Sequence, residues 1–235
     1  MTGKVVVVTG ASQGIGAGLV AAYREQGWPV VATAGTITPS QDPQVVTIEA
    51  DIADPAAVGR IIGGALERFG RIDTLVNNAG ACICKPFTNY TAADYAAAVG
   101  VNLTGFFWVT QRAIAEMASR YGGHVVNVMA TLAEVADSST PAVLAALTKG
   151  GLAAATRSLA IEYASFGIRV NAISPGIIQT PVRPAESYEV LGGRLVPLGR
   201  AGQVRDVVDA VLFLESSPYI TGEILHIDGG QTAGR

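Results

Sequence analysis

The chain has 235 residues, 49% hydrophobic and only 15% charged, with a formal net charge of −3 and a mean hydropathy of +0.37. That length suits one α/β domain, residues 1–235, with a full core and little left for a second. With no basic cluster, no apolar run near the ~20 residues of a spanning helix, and two cysteines, Cys82 and Cys84, too close for an ordinary disulfide and too few for zinc, neither nucleic acid nor membrane nor metal is an expected partner.

Met1-Thr2-Gly3-Lys4 leads straight into the first strand without a signal-peptide pattern, so a cytoplasmic protein is expected. Val5 to Val8 are β-branched and read as a strand buried on both faces. Thr9 and Gly10 end it, and Ile15, Leu19, Val20 and Tyr23 then recur at helical spacing. Between strand and helix, in TGASQGIG, lie Gly10, Gly14 and Gly16. Without Cβ atoms the backbone can turn sharply there and aim free N–H groups, with the helix's positive end, at a phosphate.

After Gly27, a second strand spans Val30 to Thr33. Gly35 to Pro43 holds two prolines and cannot form a full crossover helix, so this connection reads as a loop. A third strand, Val45 to Glu49, ends at Asp51 and Ile52; Asp54 with Pro55 then opens a helix to about Phe69. A fourth strand, Ile72 to Asn77, breaks at Asn78-Ala79-Gly80. Thr91 and Asp94 have the spacing of a capping box before one long helix to about Arg120. His124 to Val128 reads as a strand, Thr140-Pro141 as the start of a helix to about Phe166, and Arg169 to Ile173 as a sixth strand ended by Pro175-Gly176. Thr180 to Pro197 is polar and proline-interrupted, the kind of segment that serves as a lid over a strand end. Val204 to Leu214 forms a last helix and Ile224 to Ile227 a last strand. Strands alternating with helices predict a Rossmann-like, doubly wound parallel sheet with helices on both faces. Ligands then sit beyond the C-terminal strand ends, where Gly10 to Gly16, Asp51, Asn78 to Gly80, Ala130-Thr131 and Pro175-Gly176 fall together.

The Gly-x-x-x-Gly-x-Gly turn, Asn77-Asn78-Ala79-Gly80, Asn102 in VNLTG, Lys149, Pro175-Gly176 and the closing ITGEILHIDGG resemble the short-chain dehydrogenase/reductase family, its 3-oxoacyl-carrier-protein reductases in particular, from Val5 to Gly230. The resemblance implies a nicotinamide dinucleotide on Gly10, Ser12, Gln13, Gly14, Ile15 and Gly16. Asp51 and Ile52 would lie at the adenine, Asn78, Ala79 and Gly80 along a ribose, and Pro175, Gly176, Ile178 and Thr180 at the carboxamide and pyrophosphate. It also implies a homodimer or homotetramer, with the small-residue face of Gly151 to Ala164 in a subunit contact. An acid after the second strand would favour NAD; Ala34, Gly35 and Thr36 stand there, with no arginine either, and the balance leans to NADP over NAD.

In the family a tyrosine phenol protonates the carbonyl, a lysine four residues on lowers its pKa, a serine orients the substrate and an asparagine holds a water relay. Asn102 and Lys149 match. The tyrosine's place is Ala145 and the serine's is Ala130, and neither methyl group can donate a proton. Such losses forfeit ~10²–10⁴ and ~10²–10³ in rate respectively. Three readings stay open. The chain is an oxidoreductase on a small, mostly apolar carbonyl or alcohol with another acid, with Thr131 the first candidate and Glu134, Tyr188, Cys82 and Cys84 behind it; or a nucleotide-binding regulatory or partner subunit; or a non-redox isomerase or lyase. His124 and His226 read as hydrogen-bonded structure.

Overall fold

The structure is a computed structural model that describes residues 3–137, 140–182 and 184–234. Met1 and Thr2, from the expected lead-in, lie outside the described residues, as does Arg183 of the 180–197 segment. The chain runs β1 (Val6–Thr9), α1 (Gly14–Glu25), β2 (Val30–Ala34), β3 (Val45–Glu49), α2 (Pro55–Phe69) and β4 (Thr74–Asn77). It continues through α3 (Ala92–Val99), α4 (Phe106–Ala118), β5 (Gly123–Val128), α5 (Val143–Glu162), β6 (Ile168–Pro175) and β7 (Ile178–Gln179). Then come α6 (Ala185–Leu195), β8 (Gly202–Gln203), α7 (Val204–Ser216) and β9 (Ile224–Ile227).

One sheet of order β3-β2-β1-β4-β5-β6-β9 carries the fold, and its pairings are all parallel. The two-residue period of a strand divides the valines between two cores. Val7, Val31, Leu75, Val125 and Val170 pack against α2 and α4, with Ile61, Val109 and Met117. Val6, Val8, Val30, Ala32, Val76 and Val126 pack against α1 and α7, with Leu19, Tyr23, Val207 and Val211. Burial on both faces accounts for the high hydropathy. The order reverses between β1 and β4, so the crevice for a ligand opens beyond their C-terminal ends.

Caps follow the sequence signals. Asp54 accepts from the Ala56 amide at 2.9 Å ahead of Pro55, and Thr91 and Asp94 form the reciprocal capping box of α3. No helix joins β2 to β3, as the prolines of that stretch require. Two expectations are corrected and one is refined. The long helix from Thr91 runs unbroken to Ala118 but takes π geometry over Gly100–Gly105, where Asn102 is buried. Glycine is needed at 105 because a Cβ would stand 2.6 Å from Ile52 Cγ1. Next, α5 starts at Val143 rather than Thr140. Finally, the 180–197 segment contains α6, with Pro184 as its N-cap and Tyr188 and Leu195 buried.

At the far end of the sheet, His124 and Glu215 form a buried pair. His124 Nε2 faces Asn171 Nδ2 at 3.2 Å and Arg169 Nη1 at 3.4 Å, both donors. Nε2 is therefore the acceptor, and Nδ1–H donates to Glu215 at 2.9 Å. Thr74 adds a bond to the same carboxylate at 3.0 Å. Burial holds His124 below its ordinary pKa. Burial pulls Glu215 upward, but the His124 and Thr74 hydrogen bonds outweigh it and leave the carboxyl below its usual range.

Candidate active site

The crevice begins with a clamp between the ends of β1 and β4. Thr9 Oγ1 accepts from the amides of Asn78 at 3.1 Å and Ala79 at 3.0 Å. Asn78 Nδ2 donates to the carbonyls of Thr9 at 3.0 Å and Gly10 at 2.9 Å. Gly10 sits at φ +64°, and a Cβ on it would meet Ala79 Cα at 2.8 Å. A Cβ on Gly16 would overlap the Gly10 carbonyl oxygen. These contacts, not propensity, require glycine. Gln13 gives α1 no side-chain cap, so the first-turn amides at Gly14, Ile15 and Gly16 keep their donors for an anion. The Thr180 methyl lies 3.3 Å from where a Gly14 Cβ would stand, which closes the turn from the β7 side.

Below the turn lies Lys149. It is 7% exposed, and Nζ donates to the Val128 carbonyl at 2.9 Å. Only the absence of a side chain on Gly80 makes room, since a Cβ there would be 2.6 Å from Nζ. Burial lowers the ammonium's pKa to about 8, against an opposing contribution from Cys82. The lysine therefore does not reach out to solvent. Asn102 is 1% exposed and its amide is fully engaged: Oδ1 accepts from Ala81 N at 2.8 Å, and Nδ2 donates to Ala81 O at 2.8 Å and Thr148 Oγ1 at 2.9 Å. It ties the loop after β4 to α5, one residue before Lys149.

A cleft of about 280 Å³ opens beside this group. Its wall includes Cys82, Cys84, Ala130, Thr131, Tyr188 and Gln231. Pro175, Gly176, Ile178 and Thr180 line it as well. Thr131 Oγ1 is 3.4 Å from Gln231 Oε1, and Tyr188 Oη is 3.0 Å from Thr180 Oγ1. Ala145, one turn before Lys149 in α5, is 2% exposed. A separate cavity of about 340 Å³, lined by Ser12, Thr36, Ile37, Thr38 and Ser40, lies where β1 and β2 end.

Not every sequence candidate reaches these spaces with its side chain. Ile15 packs into the α1/α7 core and Ile52 into the other. Asp51 is exposed, and its Oδ1 caps a turn by accepting from Ala53 N at 2.9 Å. Glu134 is spoken for: Ser174 donates to it at 2.6 Å, and His226 Nε2 lies 2.8 Å away. Thr148, Gln231 and the Val128 carbonyl belong to the site without a mark in the sequence reading, and Thr9, which also belongs to it, reads there only as the end of the first strand. Thr148, adjacent to Lys149, and Thr9, at the lip of the glycine turn, carried a signal by position alone. Among the described residues no group of three or more His, Cys, Asp or Glu could hold a metal ion, and no helix is long and apolar enough to cross a membrane.

A family model described as enoyl-(acyl carrier protein) reductase matches residues 10–232. Oxidoreductase UcpA of Escherichia coli K12 is 35% identical over 255 aligned positions, covering 99% of this chain and 95% of that protein. The structure of ElxO with NADP bound superposes with a TM-score of 0.90 at 27% identity, over 98% of this chain and 99% of that one. A short-chain dehydrogenase from Leptospira borgpetersenii with bound NAD+ gives 0.90 at 31% identity, over 99% and 94%. Similarity that runs the length of the chain, in a sheet whose reversal point gathers the glycine turn and a buried lysine, means that the chain belongs to the short-chain dehydrogenase/reductase family of NAD(P)-dependent oxidoreductases.

Proposed function

We propose that the chain binds a nicotinamide dinucleotide along the crevice and catalyses hydride transfer between it and a small, mostly apolar carbonyl or alcohol. The observation that carries this is the cradle at Gly16, where a Cβ would overlap the Gly10 carbonyl and stand 2.7 Å from Asn78 Nδ2. A turn so tight, opening an uncapped helix, fits a pyrophosphate. Gly10, Ser12, Gln13 and Gly14 to Gly16 would hold it; Asp51 and Ile52 would border the adenine, and Asn78 to Gly80 and Lys149 the nicotinamide side, with Pro175, Gly176, Ile178 and Thr180 opposite. Bound there, the nucleotide supplies or accepts the hydride. The hydroxyls of Ser12, Thr36, Thr38 and Ser40 around the 340 Å³ cavity, with no carboxylate in its wall, favour NADP over NAD. ElxO holds NADP and the Leptospira enzyme holds NAD+.

The usual phenol and serine are replaced by the methyl groups of Ala145 and Ala130, so the proton has another source. An ammonium with a pKa of about 8 is itself a competent acid near neutral pH. Lys149 takes that role, Thr131 orients the carbonyl, and Asn102 holds the loop that shapes the cleft. The chain works as one domain in the cytoplasm. Exposed Phe107, Leu147 and Ile161 on α4 and α5 support a homodimer or homotetramer. The two alanines also favour a second reading, a binder of the nucleotide that does not turn it over. Titration with NADPH and NADH, followed by absorbance at 340 nm across a panel of aldehydes and ketones, separates them. Turnover supports the first reading, and tight binding with a flat trace supports the second. Tenfold tighter NADH would overturn the cofactor preference.

A further inference from the structure

Cys82 and Cys84 are not absorbed by that function. Both side chains are exposed, both line the 280 Å³ cleft, and their Sγ atoms are 3.7 Å apart. Alternation along the extended stretch after Gly80 puts the two thiols on one side and Ile83 on the other. The backbone that carries them is fixed: Asn102 grips both the amide and the carbonyl of Ala81, and Tyr90 Oη donates to the Ile83 carbonyl at 2.8 Å. Lys149 presses against Gly80 from beneath and interacts electrostatically with Cys82. An ammonium near a thiol favours the thiolate, and the thiolate is the nucleophilic form.

We propose that Cys82 is a nucleophile toward soft carbon electrophiles, aldehydes above all, that enter this cleft. The Cys82 thiol gives its proton to solvent water, and the Lys149 ammonium stabilises the thiolate by its charge. The thiolate lone pair forms an Sγ–C bond to the carbonyl carbon, the C=O π pair moves to oxygen, and that oxygen takes a proton from solvent water. Thiol plus aldehyde gives a thiohemiacetal, with no oxidant or reductant consumed and the reaction reversible. Cys84 donates its S–H to the Cys82 thiolate and steadies it. Ala130, in the wall of the same cleft, leaves room beside the carbon for the added sulfur. This goes beyond the hydride-transfer reading and does not require the nucleotide, so it stands or falls separately.

The test is alkylation by iodoacetamide without nucleotide, read by peptide mass spectrometry at pH 6 to 9. Wild type, Cys84→Ser, Lys149→Met and Lys149→Arg are compared, with folding checked by circular dichroism. At pH 7 Cys82 should react about 10-fold faster than Cys84 or free cysteine. Lys149→Met should remove that advantage and Lys149→Arg should keep most of it, while millimolar butanal should protect Cys82 reversibly. Should the Lys149 variants fail to fold, the wild-type profile decides: a Cys82 rate that levels off below the pH where free cysteine does supports the proposal, and a free-cysteine profile overturns it. Equal rates at both cysteines, or no protection by the aldehyde, also overturn it. Nucleotide binding measured on the same samples shows whether the hydride-transfer reading survives on its own.

Discussion

Replacing Gly16 by alanine tests the dinucleotide cradle with the smallest possible change. The added Cβ would overlap the Gly10 carbonyl oxygen, stand 2.8 Å from the Gly10 carbonyl carbon and 2.7 Å from Asn78 Nδ2. Ordinary contacts between carbons begin at about 3.5 Å, so backbone must give by more than half an ångström. The atoms that have to move are held: Gly10 O accepts from Asn78 Nδ2, which also bonds Thr9 O. Strain of this kind costs about 1–3 kcal/mol, and it falls on the amides that face the pyrophosphate. NADPH affinity should therefore drop by about 10- to 100-fold, since each 1.4 kcal/mol is a factor of ten. The assay is an NADPH fluorescence titration beside a thermal melt. Gly63→Ala is the control: it lies within α2 with nothing within 4 Å of its added Cβ. It should raise Tm and leave affinity alone, because alanine is worth about 1 kcal/mol over glycine in a helix interior. If Gly16→Ala binds NADPH within twofold of wild type at unchanged Tm, the turn does not hold the nucleotide as argued.

The double substitution A130S/A145Y should raise carbonyl reduction by about 10²-fold or more, followed at 340 nm; a folded, NADPH-binding variant with no gain would show that the alanines are not what limits the rate. If Lys149 is the acid, kcat for reduction falls as pH rises through about 8, because the ammonium is lost there, and a flat profile from pH 7 to 9 would remove it from that role. At the other end of the sheet, His124 is held below its ordinary pKa by burial, so the unfolded chain binds protons more readily. Stability should therefore fall as pH drops below 6.5, the ordinary value for histidine, and fall again below 4.5 as Glu215 is forced to protonate. Urea melts from pH 7 to 4 measure this, and His124→Gln should flatten the span from pH 7 to 5; an unchanged slope would assign the loss to other groups. Asn102→Ala frees the Ala81 amide and carbonyl and should cost about 1–3 kcal/mol in the same melts.

The parallel sheet was legible because burial on both faces writes continuous valine runs, and because Asp54-Pro55 and Thr91/Asp94 mark helix starts locally. What sequence pattern could not show is set by contacts between distant segments. The π-turn at Gly100–Gly105 has a helical composition on either side; its partners are distant in the chain, Ile52 leaving no room for a Cβ at Gly105 and Ala81 engaging the Asn102 amide. Likewise α6 hid within a polar stretch whose proline reads as an interruption, although Pro184 sits where a helix begins. In the site, the glycines and Lys149 announced themselves by spacing and by being out of place in an apolar helix. Gln231 did not, and Thr9 offered only its position at the lip of the turn, since their work depends on partners 100 and 69 residues away. Asp51 and Glu134 looked available as isolated acids; the structure gives Asp51 a turn to cap and Glu134 two hydrogen-bonding neighbours.

The cradle at the sheet's reversal point is the claim on which the functional account rests, and calorimetric titration of the wild-type protein with NADPH tests it most directly. The account predicts saturable binding at one site per chain in the micromolar range, weaker for NADH, and abolished or strongly weakened by Gly16→Ala. Folded protein that releases no heat with either nucleotide at millimolar concentration would contradict it.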